Sequence, residues 1–253
     1  MTTVLFIRHG LTALTGPVLA GWTPGVHLDE RGRAQAASLG RRLLGVPLTA
    51  VVTSPLERCR ETADGLLVGR APAPALHVDD RLGEVRYGSW TGRELRDLRK
   101  EPLWRIVQDH PSAAIFPDGE GLAAMAARAA EAVRDWNTRL GPDATYAIVS
   151  HGDVIKALVA DALGLHLDGF QRIVVDPASL TVVRYADLRP FVVRVNDTGG
   201  SVDALVPGPP TKRGRGRRAH GPDPASDAAV GGGAGEQLAR VPGSSRANRP
   251  RPR

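Results

Sequence analysis

A single cysteine, Cys59, in a chain of 253 residues excludes an intrachain disulfide and a multi-cysteine zinc cluster. It leaves that side chain the role of a small, reduced, partly buried group. Aromatic residues make up only 4% of the chain, so aliphatic side chains and alanine must fill most of the core. At 42% hydrophobic composition there is enough apolar material for one large domain or two small ones. No apolar run approaches membrane-spanning length, and the first residues enter a strand-like pattern without a basic leader, so a soluble, cytoplasmic protein is expected. The net charge of +6 suggests an anionic partner until its placement is considered. From Leu205 onward ten Lys and Arg face three Asp and Glu, a surplus of seven, which leaves residues 1 to 204 at about −1. The basicity therefore belongs to the C-terminal segment and says nothing about the rest.

That segment, residues 205–253, is dominated by glycine, proline, serine and arginine. Its apolar residues are too few to offset the entropy of ordering, so it reads as a disordered tail. The run "KRGRGRR" within it is read as solvated rather than as an RNA- or lipid-binding element. Residues 1–204 are expected to form one catalytic domain in which strand-like and helix-like segments alternate, without internal repeats. "TTVLFI", "LTAVVTS" and "ATYAIVS" are short continuous apolar runs, the pattern of strands buried on both faces. "PALHVD" and "LTVVRYA" add two more strands, with "FVVRV" a candidate last one. "LDERGRAQAASLGRRLLG" has helical periodicity, an N-cap candidate in Asp29 and a stop at Gly45. "PLERCRETADGLLV" offers a second helix with Pro55 suited to its first turn. A long alanine-rich helix runs from about Gly121 to Leu140 and ends at Gly141-Pro142, and "DVIKALVADALG" makes another. This alternation predicts a three-layer αβα domain, a mostly parallel central sheet flanked by helices.

In such sheets, sites lie beyond the carboxyl ends of the strands. Three strand candidates end in chemically capable residues: "FI-RHG", "VVTS-PLER" and "AIVS-HGD". If these strands are parallel neighbours, Arg8, His9, Arg58 and His151 converge on one rim, with Gly10 letting the backbone turn beneath the first two. Two arginines and two histidines without a carboxylate cluster suit a metal poorly. They suit a phosphate well, because guanidinium forks match its oxygens and stay charged at any working pH. A neutral histidine held by a backbone hydrogen bond can be a nucleophile there. A carboxyl group kept protonated by burial can supply the leaving group's proton. Glu84, in "RLGEVRYGSWTG" just after the third strand, is placed for that task; Asp79, Asp80 and Glu94 are nearby competitors.

In order along the chain, "RHG", "SPLERCRETA", "GEVRYGSWTG" and "VSHGDVIKAL" resemble the histidine phosphatase superfamily, in its phosphoglycerate-mutase-like branch. The resemblance runs from about residue 2 to 185. It implies that His9 attacks phosphorus, that Arg8, Arg58 and His151 hold the phosphoryl oxygens, and that Glu84 protonates the leaving group and then helps to activate water. It implies neither a metal nor an organic cofactor. Thr15 stands where the family commonly has an asparagine near the phosphate, Leu11 replaces a frequent glutamate, and "PDGEGL" has Gly121 where the family segment has serine. Thr15, Tyr87 and Gly152 join Arg8, Arg58 and His151 as substrate-contact candidates, and Trp22 and Tyr87 are set to line the substrate side or to pack.

Hydrolysis of a small phosphate monoester is the first expectation, phosphomutase chemistry the second. A mutase must shield its phosphoenzyme from water. The 66 residues between Glu84 and His151, with 101–121 as the expected lid, are short for that, and Val85 stands where the resembled mutases carry an arginine. "GW" at 21–22 and "YG" at 87–88 are mutase-like, and the chain also resembles a bacterial subgroup labelled probable phosphomutase. "SHGD" is not a Ser-His-Asp triad, since adjacent residues cannot easily form one and no G-x-S-x-G elbow is present. His27, His77, His110 and His166 have no partner pattern and read as surface or packing residues. A third reading, from another class, is a catalytically silent phospho-ligand or nucleic-acid binding module. It would have no use for a nucleophile. The partner expected is a small phosphorylated metabolite, with neither membrane nor nucleic acid; substrate identity and oligomeric state are open at this level.

Overall fold

The computed structural model describes residues 1–199, so the expected tail, 205–253, lies outside the described residues. The chain begins with β1 (Thr2–Arg8), followed by α1 (Glu30–Leu43), β2 (Ala50–Thr53), α2 (Glu57–Leu67) and β3 (Ala75–Val78). Two short helices, α3 (Leu95–Leu98) and α4 (Pro102–Asp109), precede the long α5 (Leu122–Leu140). Then come β4 (Thr145–Ser150), α6 (Gly152–Leu163), β5 (Leu180–Tyr185) and β6 (Pro190–Asp197). The six strands form one sheet in the order β3-β2-β4-β1-β5-β6. Strands β1 to β4 are mutually parallel, with Val4 opposite Tyr146 and Val51 opposite Ala147. The apolar runs of β1 and β4 follow from this placement, because both strands are covered on both faces. Alternate side chains of β1 go to opposite sides. Val4 and Phe6 join Met125, Val133 and Ile155 under α5 and α6, while Leu5 and Ile7 join Leu39, Cys59 and Leu66 under α1 and α2. The three-layer αβα expectation holds.

One strand direction departs from simple alternation. β5 pairs with β1 antiparallel, and β6 with β5 antiparallel, so the sheet is mixed on that side. After α6 the chain does not descend straight into a parallel strand. Residues 164–179 first carry it back to the carboxyl end of the sheet, where the Arg8 amide donates to the Ser179 carbonyl at 3.3 Å and the Ala178 amide to the Arg8 carbonyl at 3.0 Å. β5 therefore starts beside the end of β1. The detour braces the rim from which Arg8 and His9 project.

Helix ends follow local chemistry. Asp29 caps α1 by accepting from the Gly32 amide at 2.8 Å, and Gly141 (φ 79°) and Gly164 (φ 63°) close α5 and α6 at positive φ, Gly164 in the left-handed helical conformation. Helix α2 starts two residues later than Pro55 suggested, because Ser54 to Leu56 are still turning away from β2; the Ser54 Oγ accepts from the Leu56 amide at 3.3 Å. The role of Gly10 also differs from expectation. It is not among the residues with positive φ. Its lack of a side chain instead admits α1, since an added Cβ would lie 2.7 Å from the Gly32 carbonyl oxygen. Backbone on both sides gives little room to relax, so Gly10→Ala is expected to cost about 1–3 kcal/mol of stability, read as a lower denaturant midpoint. An unchanged midpoint would show that the contact between strand end and helix relaxes freely.

Candidate active site

The carboxyl ends of β1, β2 and β4 bring Arg8, His9, Arg58 and His151 together, as the parallel order of these strands requires. Arg8 is 1% exposed and Arg58 2%, so two guanidinium groups are held out of water at one spot. Arg8 Nη1 donates to the Val175 carbonyl at 2.8 Å. Arg58, in the first turn of α2, donates through Nη2 to the Gly21 carbonyl at 2.8 Å. Its Nη1 is buried without a hydrogen-bond partner. A buried donor of this kind, on a cation, is suited to an oxygen of an anion.

The two histidines differ in what their nitrogens do. His9 Nδ1 donates to the Gly10 carbonyl at 2.7 Å. That bond fixes the tautomer and leaves the lone pair on Nε2, toward which Arg58 Nε donates at 3.3 Å. Burial, then Arg58 and Arg8, hold the His9 ring well below the ordinary histidine pKa, so it is a neutral base at physiological pH. His151 lies 5.3 Å away, ring centroid to ring centroid, edge to face. Arg58 Nη2 donates to its Nδ1 at 3.3 Å, and its Nε2 donates to Ser54 Oγ at 2.7 Å. Both nitrogens are therefore occupied. Burial and Arg58 keep this ring neutral as well.

Glu84 follows the loop after β3 and is buried. Its Oε1 accepts from the Val85 amide at 3.0 Å, and its Oε2 lies 3.8 Å from His151 Nδ1. The Glu84 carbonyl is clamped by Trp22 Nε1 at 2.6 Å and Arg128 Nη2 at 3.0 Å. Burial, reinforced by Asp153, pushes the carboxyl up to about 7. A neutral imidazole, two guanidinium groups and a carboxyl group that exchanges its proton near neutrality thus share one cleft. It encloses about 400 Å³ of free space, part of it open to solvent. Such a set can bind a phosphoryl group, attack it and protonate what leaves.

A family model described as "Histidine phosphatase superfamily (branch 1)" matches residues 4–198, the body of the chain, with all five of these side chains inside it. The chain belongs to the histidine phosphatase superfamily. It is 30% identical over 209 residues to a probable phosphoglycerate mutase GpmB of Erwinia tasmaniensis, covering 81% of this chain and 95% of that protein. It is 31% identical over 179 residues to phosphoserine phosphatase 1 of Hydrogenobacter thermophilus, covering 68% and 81%. Among solved structures, YhfR of Bacillus stearothermophilus superposes with a TM-score of 0.70 at 30% identity, over 78% of this chain and 98% of that one.

In this histidine phosphatase the expected site residues separate into three groups. Arg8, His9, Arg58, Glu84, Thr15 and Tyr87 line the cleft. His151 stands just behind that lining against His9. Gly152, the first residue of α6, is not part of the lining. Thr15 lines the cleft, but its Oγ1 is engaged with Thr12, accepting from that amide at 3.0 Å and facing that hydroxyl at 2.9 Å. The Tyr87 hydroxyl points away from the cleft and donates to Asp153 Oδ2 at 2.9 Å. Trp22 does not line the cleft either; it holds the Glu84 backbone and carries Arg86 over its ring at 4.2 Å. The expected lid, 101–121, is a structural segment. Trp104 of α4 stacks on Trp90 at 6.3 Å, and Phe116 packs against both Trp90 and Tyr87, so these side chains, with Val107, complete the core beside α5, while Ile106 and Ile115 stay exposed. Residues 12–21 and Leu95 wall the cleft instead.

The remaining histidines among the described residues take packing and surface positions: His27 pairs with Glu61, His77 lies on Trp136 at 4.9 Å, and His110 and His166 flank Asp168. Among the described residues no group of three or more His, Cys, Asp or Glu side chains is arranged to hold a metal, and no helix is long and apolar enough to cross a membrane. Reasoning from sequence missed the buried pair behind Glu84, Asp153 and Lys156, whose charges lie 3.6 Å apart. The signal was present. In "DVIKALVADAL" two opposite charges three apart sit in the first turns of a helix whose only other charged residue is Asp161 near its end, and so apolar a helix buries them.

Proposed function

We propose that this protein hydrolyses a small phosphate monoester through a phosphohistidine at His9. The observation that carries the reading is the His9 ring: neutral, its Nδ1 proton tied to the Gly10 carbonyl, its Nε2 lone pair facing Arg58 in the cleft that also holds Glu84. In the first step His9 Nε2 donates its electron pair to phosphorus, and the bond from phosphorus to the ester oxygen breaks. That oxygen keeps the bonding pair and takes the proton from the Glu84 carboxyl, leaving as an alcohol. Arg8 and Arg58, with Arg58 Nη1 as the spare donor, hold the equatorial oxygens as charge builds on them. His151, fixed by Ser54 and by Arg58, stands behind the lining and orients the Arg58 fork. In the second step Glu84, now a carboxylate, takes a proton from water as its oxygen attacks phosphorus, and the bond from phosphorus to nitrogen returns its pair to Nε2. The sum is ester plus water giving alcohol plus inorganic phosphate.

Hydrolysis is preferred to mutase transfer because no residue of 101–121 is in the cleft lining, while Trp104, Val107 and Phe116 of that segment pack into the core. A phosphoenzyme there is reached by water. The phosphoglycerate mutase-like relative and the phosphoserine phosphatase relative both concern small phosphorylated metabolites, which supports that substrate class and a cytoplasmic setting where such metabolites occur. Residues 1–204 are the catalytic domain in this reading, with 205–253 an appendage. The test is phosphate release from a generic aryl phosphate by the full chain. Release that depends on His9 supports the proposal, and release at the rate of an enzyme-free control would favour a silent binding module.

A further inference from the structure

Resting on the phosphatase reading above, we propose that the alcohol part of the substrate is uncharged and largely apolar, not an acid or a second phosphate. Beyond the polar floor of Arg8, His9, Arg58 and Glu84, the half-buried Leu14, Val18 and Ala20 face the cleft, backed by Leu19 and Leu95, which are buried in the core. Among the described lining residues the cations are Arg8 and Arg58, and both face the reacting phosphoryl group. A leaving group that carried a carboxylate would have to press a second anion against aliphatic side chains beside Glu84. Burying an unpaired charge there is heavily penalised.

Arginines close to the cleft in sequence are committed elsewhere. Arg86 lies over the Trp22 ring at 4.2 Å, Arg93 pairs with Glu101 at 2.6 Å, and Arg31 pairs with Asp29 at 2.8 Å. The hydroxyls of Thr12 and Thr15 share one hydrogen bond, so the pair has one hydroxyl hydrogen left over and no charge with which to pair an acid. The wall is also fixed in place. The Leu19 amide donates to the Arg93 carbonyl at 3.0 Å, the Gly92 amide to the Leu19 carbonyl at 2.8 Å, and the Leu95 amide to the Pro17 carbonyl at 2.9 Å. These bonds lace residues 17–19 onto 92–95 like a short strand pair, which makes the apolar face preformed, as a selective pocket requires.

The test measures kcat/KM for phosphate release from ethyl, butyl and hexyl phosphate and phenyl phosphate, against O-phosphoserine and 3-phosphoglycerate. Each methylene that reaches the wall is expected to raise kcat/KM roughly threefold until the cleft is filled. The two acidic esters are expected to fall about 100-fold or more below butyl phosphate. A companion variant, Leu14→Arg, places a cation on a half-exposed part of the wall. It is expected to shift the ratio of 3-phosphoglycerate to butyl phosphate by about tenfold or more toward the acid. Acidic esters equal to or better than alkyl esters in the native protein, with phospho-His9 still formed, would overturn this inference alone. No release from any ester and no phosphohistidine would overturn the phosphatase reading instead.

Discussion

Replacing His9 by alanine is expected to lower kcat/KM for every phosphate monoester by at least about 10⁴-fold, because the group that accepts the phosphoryl is removed and no second group can take over. His151 is the obvious substitute by residue type, 5.3 Å away. Its position disqualifies it: the ring stands behind the cleft lining, with Nε2 donating to Ser54. The variant should retain its anion site, since Arg8 is anchored on Val175 and Arg58, although it loses the bond from its Nε to His9, keeps those from Nη2 to Gly21 and His151. Inorganic phosphate is therefore expected to bind His9→Ala with an affinity close to that of the native protein, measured by calorimetry alongside the kinetics. Lost activity with retained binding separates a nucleophile from a scaffold. A His9→Ala protein that still turned over at a tenth of the native rate would remove His9 from the chemistry.

Glu84→Gln tests the other half of the mechanism and depends on the leaving group. An alkyl alcohol leaves poorly as an alkoxide, so losing the proton donor is expected to cost about 10²–10⁴-fold in kcat/KM. A nitrophenolate leaves without help, and for that ester the loss in the first step should be small. The pH dependence has a definite sign. Glu84 donates in its protonated form, and burial together with Asp153, against the opposing pull of Arg58 and Arg8, pushes its carboxyl up to about 7. The native kcat/KM for alkyl esters should hold below that value and decline as pH rises through it. On the acid side His9 stays a free base, since burial and two arginines hold its ring well below the usual range. In Glu84→Gln the decline near neutrality should vanish. A variant that hydrolysed alkyl and aryl esters with equal small losses, or kept the native alkaline limb, would assign the acid to another group.

The convergence of Arg8, His9, Arg58 and His151 was legible because it depends on one inference, that three apolar runs lie parallel and adjacent. The continuous burial of β1 and β4 was written in their composition. Glu84 was legible by position, while its raised pKa comes first from burial and then from Asp153, which stands 69 positions along the chain and meets it only in the fold. The direction of β5 was not legible. "LTVVRYA" reads the same whichever way it runs, and the reversal is set by how far residues 164–179 carry the chain. The inward packing of 101–121 was missed because a polar-looking stretch rich in proline hides its buried residues, Trp104, Val107 and Phe116. The aliphatic wall escaped notice for a similar reason, since Leu14, Val18, Leu19 and Leu95 acquire a common face only when 17–19 is laced to 92–95.

The central claim is that phosphorus becomes bonded to one particular atom, Nε2 of His9. Mixing the protein with an alkyl phosphate, quenching in alkali within the first turnover and mapping the peptides tests it directly, since phosphohistidine survives alkali and is lost in acid. Phosphorus NMR of the quenched protein distinguishes the two ring nitrogens. The account predicts a phosphoryl group on the peptide containing His9, on Nε2, formed and lost at rates that match turnover. A phosphoryl group on Nδ1 of His9, on the His151 peptide, or on no peptide at all while phosphate is released would contradict it.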